Sequence, residues 1–263
     1  MSVSDSAAPV ERRAALRLPP TTYRMLRAAA HGINRAYWRV EVDGADHVPD
    51  SGPVILAPVH RSFMDFFVVS EVTRRKIFYL TKEEMWGSRP LGAFLDAVGA
   101  IPVHREGSDR LALDRAQSVL EQGEVLVLFP EGTRRSGPVV EDLHEGAAFL
   151  AARTGAVIVP VGIGGTAAAM PKGAKFVRPV KVHVIVGEPL APPERSARGR
   201  VPRSQVHALT DELCRALQQL YDAAEGRVGS APGRASAPGS SPGAGTAVSA
   251  DGRPGAGAAP ASG

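Results

Sequence analysis

Residues 54–65, VILAPVHRSFMD, pass from an uninterrupted apolar run through a polar turn into a segment with helical features. Val54–Pro58 has the length of a strand, and it lacks the alternation of a strand with one solvated face. Ser62 is a suitable cap for a helix that we predict over Phe63–Thr73. The stretch therefore predicts a buried strand that leads directly into a helix, which is the basic unit of an α/β protein.

The same alternation continues on both sides of this unit. Short runs of Val, Ile and Leu predict strands, and longer segments between them predict helices. The further predicted strands are Val40–Val42, Ile77–Leu80, Ala100–Val103, Val125–Phe129, Val157–Val161 and Val180–Val186, and the further predicted helices are Leu91–Val98, Arg110–Gln122, Gly146–Thr154 and Ser204–Ala224. We therefore expect an α/β sheet covered by helices on both faces.

The chain divides into four segments by composition. Residues 41–225 hold the predicted elements and are expected to form one domain. Residues 1–18 are expected to be loose, and residues 19–40 predict a helix in which apolar residues recur at three- and four-residue steps between arginines. Residues 226–263 are rich in Gly, Ala, Ser and Pro and are predicted to be a disordered tail.

The net charge of +4 is unevenly distributed along these segments. Residues 1–40 carry +5, residues 41–225 carry −3 and residues 226–263 carry +2. A slightly acidic domain argues against general binding to nucleic acid, which needs a basic face on the folded body. The basic helix 19–40 has two interpretations, as a surface helix packed on the domain or as an element that lies on an anionic membrane.

The cysteine count and the N-terminal sequence limit the class of protein further. The single cysteine, Cys214, excludes an internal disulfide and a cysteine-based zinc site, and it is expected to lie in the core. The first fifteen residues contain no apolar segment of the kind found in signal peptides. We therefore expect a cytosolic protein that is soluble or peripherally bound to a membrane.

His60 and Asp65 are candidates for general base chemistry. On a continuous helix, side chains five positions apart would point about 140° away from each other. They meet only if His60 lies in the turn after the strand and Asp65 lies in the first helical turn. Asp65 would then fix the imidazole tautomer, leaving the other ring nitrogen to take a proton from a hydroxyl. The pair alone is better explained by a loop histidine beside a helix-capping aspartate.

Three other segments are candidates for functional roles. Two carry polar groups at strand ends, and the third has a proline inside a strand. Arg105 follows a predicted strand and fits either a phosphate clamp or a solvated surface cation. Residues 131–134, EGTR, follow the strand at Val125 and fit either a ligand-binding turn or a surface turn, although Glu131 needs a partner beside so apolar a strand. Pro160 interrupts an apolar strand, which favours a sheet edge or a bulge, with structural core as the default role.

In this order the four blocks HRSFMD, GAIPVHR, FPEGTR and VIVPV resemble the glycerolipid acyltransferase family. The resemblance spans residues 54–161, with weaker similarity to about Leu190, and FPEGTR is its most specific block. It implies a single acyltransferase domain with a mixed central sheet flanked by helices, and an N-terminal amphipathic helix that associates with membranes. The implied activity is transfer of a fatty acyl group from acyl-CoA or acyl carrier protein to the free hydroxyl of 1-acylglycerol-3-phosphate, which gives phosphatidic acid.

The resemblance also implies roles for individual residues. His60 would be the general base and Asp65 the residue that orients it. The acceptor phosphate site would consist of Arg105, Glu131, Gly132, Thr133 and Arg134. Pro160 would support the active site or the binding of the acyl donor. Direct attack by a lipid hydroxyl on a thioester needs no metal and no enzyme nucleophile, so no cofactor is expected besides the acyl donor as co-substrate.

Two departures from the family pattern lie beside the expected acceptor site. Arg135 intervenes between FPEGTR and Ser136, and His144-Glu145 stand where the family often places a lysine. A remodelling acyltransferase with another lysophospholipid acceptor, and a non-catalytic membrane-binding domain, are therefore retained as alternatives. A nucleotide-binding protein is disfavoured because neither GxxxxGK[ST] nor GxGxxG occurs. The expected partners are the lipid and acyl-donor substrates and the cytoplasmic face of a membrane, and no nucleic acid.

Overall fold

The computed structural model describes residues 20–82, 87, 100–103, 109–171, 176–193 and 201–229. Three of the predicted segments lie wholly or largely outside the described residues: the loose segment 1–18, the helix Leu91–Val98 and most of the tail, from residue 230 onward.

Strands and helices alternate along the described residues. The strands are β1 Glu41–Asp43, β2 Val54–Pro58, β3 Ile77–Lys82, β4 Ala100–Val103, β5 Val125–Val127, β6 Val157–Gly164 and β7 His183–Val186. The helices are α1 Pro20–Tyr37, α2 Asp65–Val68, α3 Asp109–Glu121, α4 Gly146–Thr154, α5 Thr166–Ala169 and α6 Arg203–Gly229, with short 3₁₀ turns at Ala45–His47 and Val69–Val72. The predicted bounds of β2, β4 and α4 are confirmed, and most other elements shift by one to four residues at an end.

The described strands form one mixed sheet in the order β1-β7-β6-β2-β5-β3-β4. All neighbours are parallel except β6 and β7, which are antiparallel. Val54 of β2 pairs with Val125 of β5 on one side and with Val157 of β6 on the other. β2 is therefore an inner strand, which explains why all five of its residues are buried. The expected α/β fold with a mixed central sheet flanked by helices is confirmed.

The parallel trio β5, β2 and β6 determines where a site can form. Parallel neighbours end at the same edge of a sheet, and α/β proteins bind ligands at the carboxyl ends of their strands. β2 ends just before His60, β5 ends just before the block that contains Glu131, and β6 ends just before Thr166. Segments far apart in the sequence are thereby brought together at one edge.

The predicted helix at Phe63–Thr73 is shorter than expected. Its α-helical part is Asp65–Val68, and a 3₁₀ turn completes it to Val72. The helix begins late because the backbone N–H groups of Arg61 and Ser62 donate to the Asp65 carboxylate, at 2.7 Å and 2.8 Å, and this holds the chain in a turn. The Ser62 hydroxyl accepts from the backbone N–H of Met64 at 3.3 Å within that turn.

Pro160 lies on an inner strand, so the prediction of an edge strand is wrong. The bulge alternative has support in the pairing of β6 with the segment after β7. Ile158 pairs with Leu190, whereas Val161 pairs with Val186. The three residue steps from Ile158 to Val161 on β6 therefore lie opposite four residue steps, from Leu190 to Val186, on the neighbouring segment. Pro160 lies inside this change of register, where the missing N–H does not break a regular ladder.

The long C-terminal helix α6 packs directly on β6, since glycines of β6 allow backbone approach. A Cβ on Gly162 would lie 2.4 Å from the backbone carbonyl of Leu220, and one on Gly164 would lie 2.5 Å from that of Ala224. The helix continues to Gly229, four residues beyond the predicted boundary at 225/226. Glu225, which accepts from the backbone N–H of Gly165 at 3.0 Å, anchors this last part of α6.

Helix α1 contacts the domain through polar side chains. The Asn34 amide donates to Oε1 of Glu71 at 2.6 Å, and His31 bonds to the other oxygen of that carboxylate. Arg27 donates to the backbone carbonyl of Arg75 at 2.7 Å. These contacts join α1 to the 3₁₀ turn that follows α2. Among the helices of the described residues, none is long and apolar enough to cross a bilayer.

Candidate active site

The turn after β2 brings His60 and Asp65 into contact, which is the arrangement that the general-base interpretation requires. Nδ1 of His60 lies 3.0 Å from Oδ2 of Asp65, and both side chains are buried. An ionised carboxylate only accepts hydrogen bonds, so Nδ1 carries the proton of this contact. Nε2 is then the ring nitrogen that can take a proton from a substrate.

The Asp65 carboxylate is held by donors from two parts of the chain. Oδ2 accepts from His60 and from the backbone N–H groups of Arg61 and Ser62. Oδ1 accepts from the hydroxyl of Thr166 at 2.6 Å. Asp65 itself is fully buried, so these bonds fix the position from which it orients the imidazole.

Two aromatic rings enclose the imidazole of His60. The ring of Phe129 lies 4.1 Å away, centroid to centroid, at an interplanar angle of 33°. The ring of Phe66 lies 5.5 Å away and edge-on at 90°. These contacts limit rotation of the imidazole and exclude water from its faces. Phe129 belongs to the FPEGTR block, so the two motifs form one site.

A second buried pair lies directly behind the base. Nη1 of Arg61 donates to Oε1 and Oε2 of Glu131 at 2.6 Å and 2.8 Å. Oε2 of Glu131 also accepts from the backbone N–H of His60 at 2.7 Å. The resemblance implied that Glu131 belongs to the acceptor phosphate site, but this carboxylate is 1% exposed and engaged through both oxygens. The geometry makes Glu131 a residue that positions the His60 turn.

The sequence motifs alone do not show a role for Arg61. The one sequence feature that points to it is Glu131, whose position beside an apolar strand requires a cationic partner. Nη2 of Arg61 donates to the carbonyl of Val139 at 3.1 Å, and its guanidinium lies 4.8 Å from the ring centroid of Tyr221. Burial raises the pKa of the Tyr221 hydroxyl, so Tyr221 is a neutral ring partner of the cation.

The residues after Glu131 form an exposed turn at the mouth of the site. Gly132 has φ of +65°, a conformation that favours glycine, and its N–H donates to the carbonyl of Phe129 at 3.1 Å. Gly132, Thr133 and Arg134 are all exposed. Of the predicted phosphate ligands in the described residues, Thr133 and Arg134 therefore present side chains that a substrate can reach.

Both departures from the family pattern lie against this turn. The backbone N–H of Arg135 donates to the carbonyl of His60 at 2.9 Å, and its guanidinium pairs with Asp142 at 3.4 Å. The ring of His144 lies so close to Gly132 that a Cβ there would be 2.7 Å from it. The side chains that differ from the family therefore border the expected acceptor site, as their positions in the sequence indicated.

The remaining predicted site residues are less directly placed. Arg105 lies outside the described residues. Pro160 pairs with Ala57 of β2, and its carbonyl accepts from Gly187 at 2.9 Å, which makes it part of the sheet that supports the site. Cys214 is half-buried on α6, where it donates to the carbonyl of Val140 at 3.3 Å and burial raises its thiol pKa.

In the part of the chain that the structure describes, no group of three or more His, Cys, Asp and Glu side chains is arranged to hold a metal ion.

The chain is similar to known acyltransferases in sequence. A protein-family model described as Acyltransferase matches residues 39–164, which include both described motif turns. The 1-acyl-sn-glycerol-3-phosphate acyltransferase of Bacillus subtilis is 26% identical over 183 residues, which are 69% of this chain and 87% of that protein. The human 1-acyl-sn-glycerol-3-phosphate acyltransferase alpha is 34% identical over 126 residues, which are 47% of this chain and 44% of the human protein.

The fold has a counterpart among solved structures. The 1-acyl-sn-glycerophosphate acyltransferase PlsC of Thermotoga maritima superposes with a TM-score of 0.61 at 22% sequence identity, covering 80% of this chain and 86% of that chain. This likeness concerns the fold, whereas the family match spans residues 39–164, which contain all four motif blocks. Residues 39–164 therefore match the acyltransferase family that the motif blocks resemble.

Proposed function

We propose that this protein is a 1-acylglycerol-3-phosphate O-acyltransferase, which moves a fatty acyl group from a thioester donor to the free hydroxyl of the lipid and forms phosphatidic acid. The observation that carries the proposal is the His60–Asp65 contact of 3.0 Å at the strand edge where the FPEGTR turn also lies. The Bacillus subtilis and human relatives, which align with this chain over 87% and 44% of their own lengths, are named for this activity.

The chemistry requires one base and no covalent enzyme intermediate. Nε2 of His60 takes the proton of the acceptor hydroxyl as the hydroxyl oxygen attacks the thioester carbonyl carbon. The tetrahedral intermediate collapses with cleavage of the C–S bond, and the departing thiolate recovers the proton from His60. Asp65 holds the imidazole in the correct tautomer and stabilises the imidazolium that forms between the two steps.

The acceptor site is formed by the exposed turn beside the base. Arg134 supplies a guanidinium that suits a phosphate, and Thr133 supplies a hydroxyl. Arg105 is proposed as a second cation on the family pattern. The buried Arg61–Glu131 pair holds the two turns together, so that the phosphate is bound at a fixed distance from His60.

The proposed donor is acyl-CoA or acyl carrier protein, which acts as co-substrate, and no other cofactor is proposed. A different lysophospholipid acceptor is the second candidate. It is favoured by Arg135 and His144, which border the acceptor turn and depart from the family pattern. A non-catalytic membrane-binding domain is disfavoured because the base, its partner and the EGTR turn are all present.

We further propose that α1 and the segment at Phe176 lie on the cytoplasmic face of a membrane. The outward side of α1 exposes Met25, Ile33 and Tyr37, while polar side chains of its other side, such as Asn34, bond to the domain. This arrangement is the reverse of an ordinary surface helix. The Tyr37 hydroxyl donates to the carbonyl of Val177 at 3.0 Å, which brings Phe176, 83% exposed, to the end of the same apolar face.

The charge of the N-terminal segment supports this placement. Residues 1–40 carry +5, and Arg35 of α1 is exposed. Apolar side chains together with basic ones favour the interface of an anionic membrane, where the lipid substrate resides.

An acceptor panel tests the proposed function. The purified protein is supplied with one acyl-CoA and with 1-acylglycerol-3-phosphate, lysophosphatidylcholine, lysophosphatidylethanolamine or glycerol-3-phosphate, and free thiol and lipid product are measured. Rapid thiol release that is coupled to phosphatidic acid and is greatest with 1-acylglycerol-3-phosphate is expected. Greater thiol release with another lysolipid would identify that lysolipid as the acceptor instead. If no acceptor stimulates thiol release, with either acyl-CoA or acyl carrier protein as donor, the proposal that the protein is an acyltransferase is rejected.

A further inference from the structure

Thr166 is a buried residue that no sequence motif singled out. It is the first residue of α5, immediately after β6, and its side chain is fully buried. Its hydroxyl donates to Oδ1 of Asp65 at 2.6 Å, while Oδ2 of the same carboxylate holds His60. We propose that Thr166 is a positioning residue of the catalytic base, which acts on His60 through Asp65. The proposal rests on the proposed function for its catalytic consequence only.

This hydrogen bond is not the usual bond of a helical threonine. A threonine in a helix commonly returns its hydroxyl to the carbonyl four residues earlier. Thr210 does so with Val206 at 2.9 Å, and Thr154 does so with Leu150 at 2.8 Å. Thr166 instead reaches a carboxylate 101 positions away in the sequence. As the first residue of α5, Thr166 has no preceding helical turn to bond to, and its hydroxyl is directed at the site.

The backbone before Thr166 is fixed by close contacts of Gly165. Gly165 has φ of +87°, and its N–H donates to Glu225 of α6 at 3.0 Å. A Cβ on Gly165 would lie 2.3 Å from the backbone carbonyl of Lys181. These contacts hold the backbone from which the threonine hydroxyl reaches Asp65. α6 thus contributes, through Glu225, to the geometry of the site.

The other end of α5 also touches the catalytic turn. The Ser62 hydroxyl donates to the carbonyl of Met170 at 3.2 Å, just beyond the last residue of α5. Thr166 and Met170 therefore hold the turn at Asp65 and at Ser62. Two contacts fix the orientation of the turn as well as its distance from β6.

The hydroxyl also affects the hydrogen bond between Asp65 and His60. A carboxylate oxygen that loses its donor in a buried site keeps more negative charge for its other partners. Without the Thr166 hydroxyl, the Asp65 carboxylate would be held by fewer donors, and its contact with Nδ1 of His60 would change in length and direction. The other charged groups nearest the turn are Arg61 and Glu131, which face each other and are unaffected by the change.

The test is an NMR measurement of the Nδ1 proton of His60, whose signal is assigned by its loss in His60→Ala, and it needs no substrate and no turnover. Thr166→Val removes the hydroxyl and keeps the shape of the side chain. The signal is expected to shift or to be lost through faster exchange with water, because the Asp65 carboxylate is held less firmly, and Thr166→Ser is expected to restore it. Thr210→Val, which removes another buried hydroxyl, should leave the signal unchanged.

Turnover provides the second measurement. In the active protein, Thr166→Val should lower kcat about tenfold or more with little change in KM, and Asp65→Asn should abolish the additional effect of Thr166→Val. If Thr166→Val does not fold, Thr166→Ala, which adds no bulk, takes its place. A folded variant with an unchanged Nδ1 proton signal overturns the proposal, and so does a Ser variant that behaves like Val. Failure of the acyl-transfer assay alone would reject the proposed function and leave the NMR result standing.

Discussion

Arg61 and Glu131 form an almost completely buried ion pair that joins the two signature turns of the site. Arg61 follows the base on the β2 turn, and Glu131 follows β5, with a closest N–O distance of 2.6 Å. Since Glu131 also accepts from the backbone N–H of His60, the pair controls the placement of the base. It connects the HRSFMD block to the FPEGTR block before any substrate binds.

Removing one member of this pair should be costly. In Glu131→Gln the Arg61 charge stays buried without its counter-charge, and the free energy of unfolding should fall by about 3–5 kcal/mol. Chemical denaturation monitored by tryptophan fluorescence measures the change. The matched control is the exposed pair Arg135–Asp142, at 3.4 Å, for which Asp142→Asn should cost less than about 1 kcal/mol. Equal losses in the two variants would contradict the role of the buried pair.

Close packing between β6 and α6 predicts a large effect at Gly162. Gly162→Ala would place a methyl group 2.4 Å from the backbone of Leu220, which cannot move without displacing α6. The free energy of unfolding should fall by about 1–3 kcal/mol or more. Gly32→Ala in α1 is the control, since no described residue outside the helix's own nearby backbone lies within 4 Å of the added methyl. A Gly162→Ala protein as stable as the Gly32→Ala protein would show that α6 does not pack as described.

Arg134 should recognise the phosphate of the acceptor. Arg134→Ala is expected to raise KM for 1-acylglycerol-3-phosphate by about tenfold or more with a smaller change in kcat, because it removes a charged contact that is made before the reaction. An uncharged acceptor, monoacylglycerol, should show no such loss. Arg203→Ala, which removes an exposed arginine of α6, is the control. Equal losses with both acceptors would reject the phosphate contact.

The exposed apolar face should mediate membrane binding. Ile33→Ser combined with Phe176→Ser is expected to weaken binding to vesicles that contain anionic phospholipid by about tenfold or more, since two apolar side chains no longer leave water. Vesicle co-sedimentation measures the change. Phe149→Ser removes an exposed aromatic ring on α4 and should have little effect. Unchanged binding of the double variant would reject this face as the membrane contact.

The sequence predicted the parts of the site that depend on local order. His60 and Asp65 are five positions apart and follow a recognisable buried strand, so their contact needed only the expected turn. The position of Glu131 beside an apolar strand indicated that its carboxylate needs a cationic partner. Arg61 is identifiable as that partner only once β2 and β5 are known to be neighbours. Thr166 carried no signal, because a single threonine gains its role from a contact across 101 positions.

The predicted boundaries failed where tertiary contacts overrode local tendencies. The helix after His60 begins at Asp65 because that carboxylate binds the preceding N–H groups. β6 continues to Gly164, three residues beyond its predicted end, because its glycines face the backbone of α6. Pro160 lies on an inner strand because the neighbouring segment changes register there.

The general base role of His60 is the central claim, and single-turnover release of CoA tests it most directly. The enzyme in excess is mixed with acyl-CoA and 1-acylglycerol-3-phosphate, and thiol is followed for the wild type and for His60→Ala, with folding checked by circular dichroism. The rate should fall by about 10²–10⁴-fold or more in the folded variant, the range that general acid–base catalysis supplies. A folded His60→Ala protein that releases CoA within about tenfold of the wild-type rate would show that His60 is not the general base.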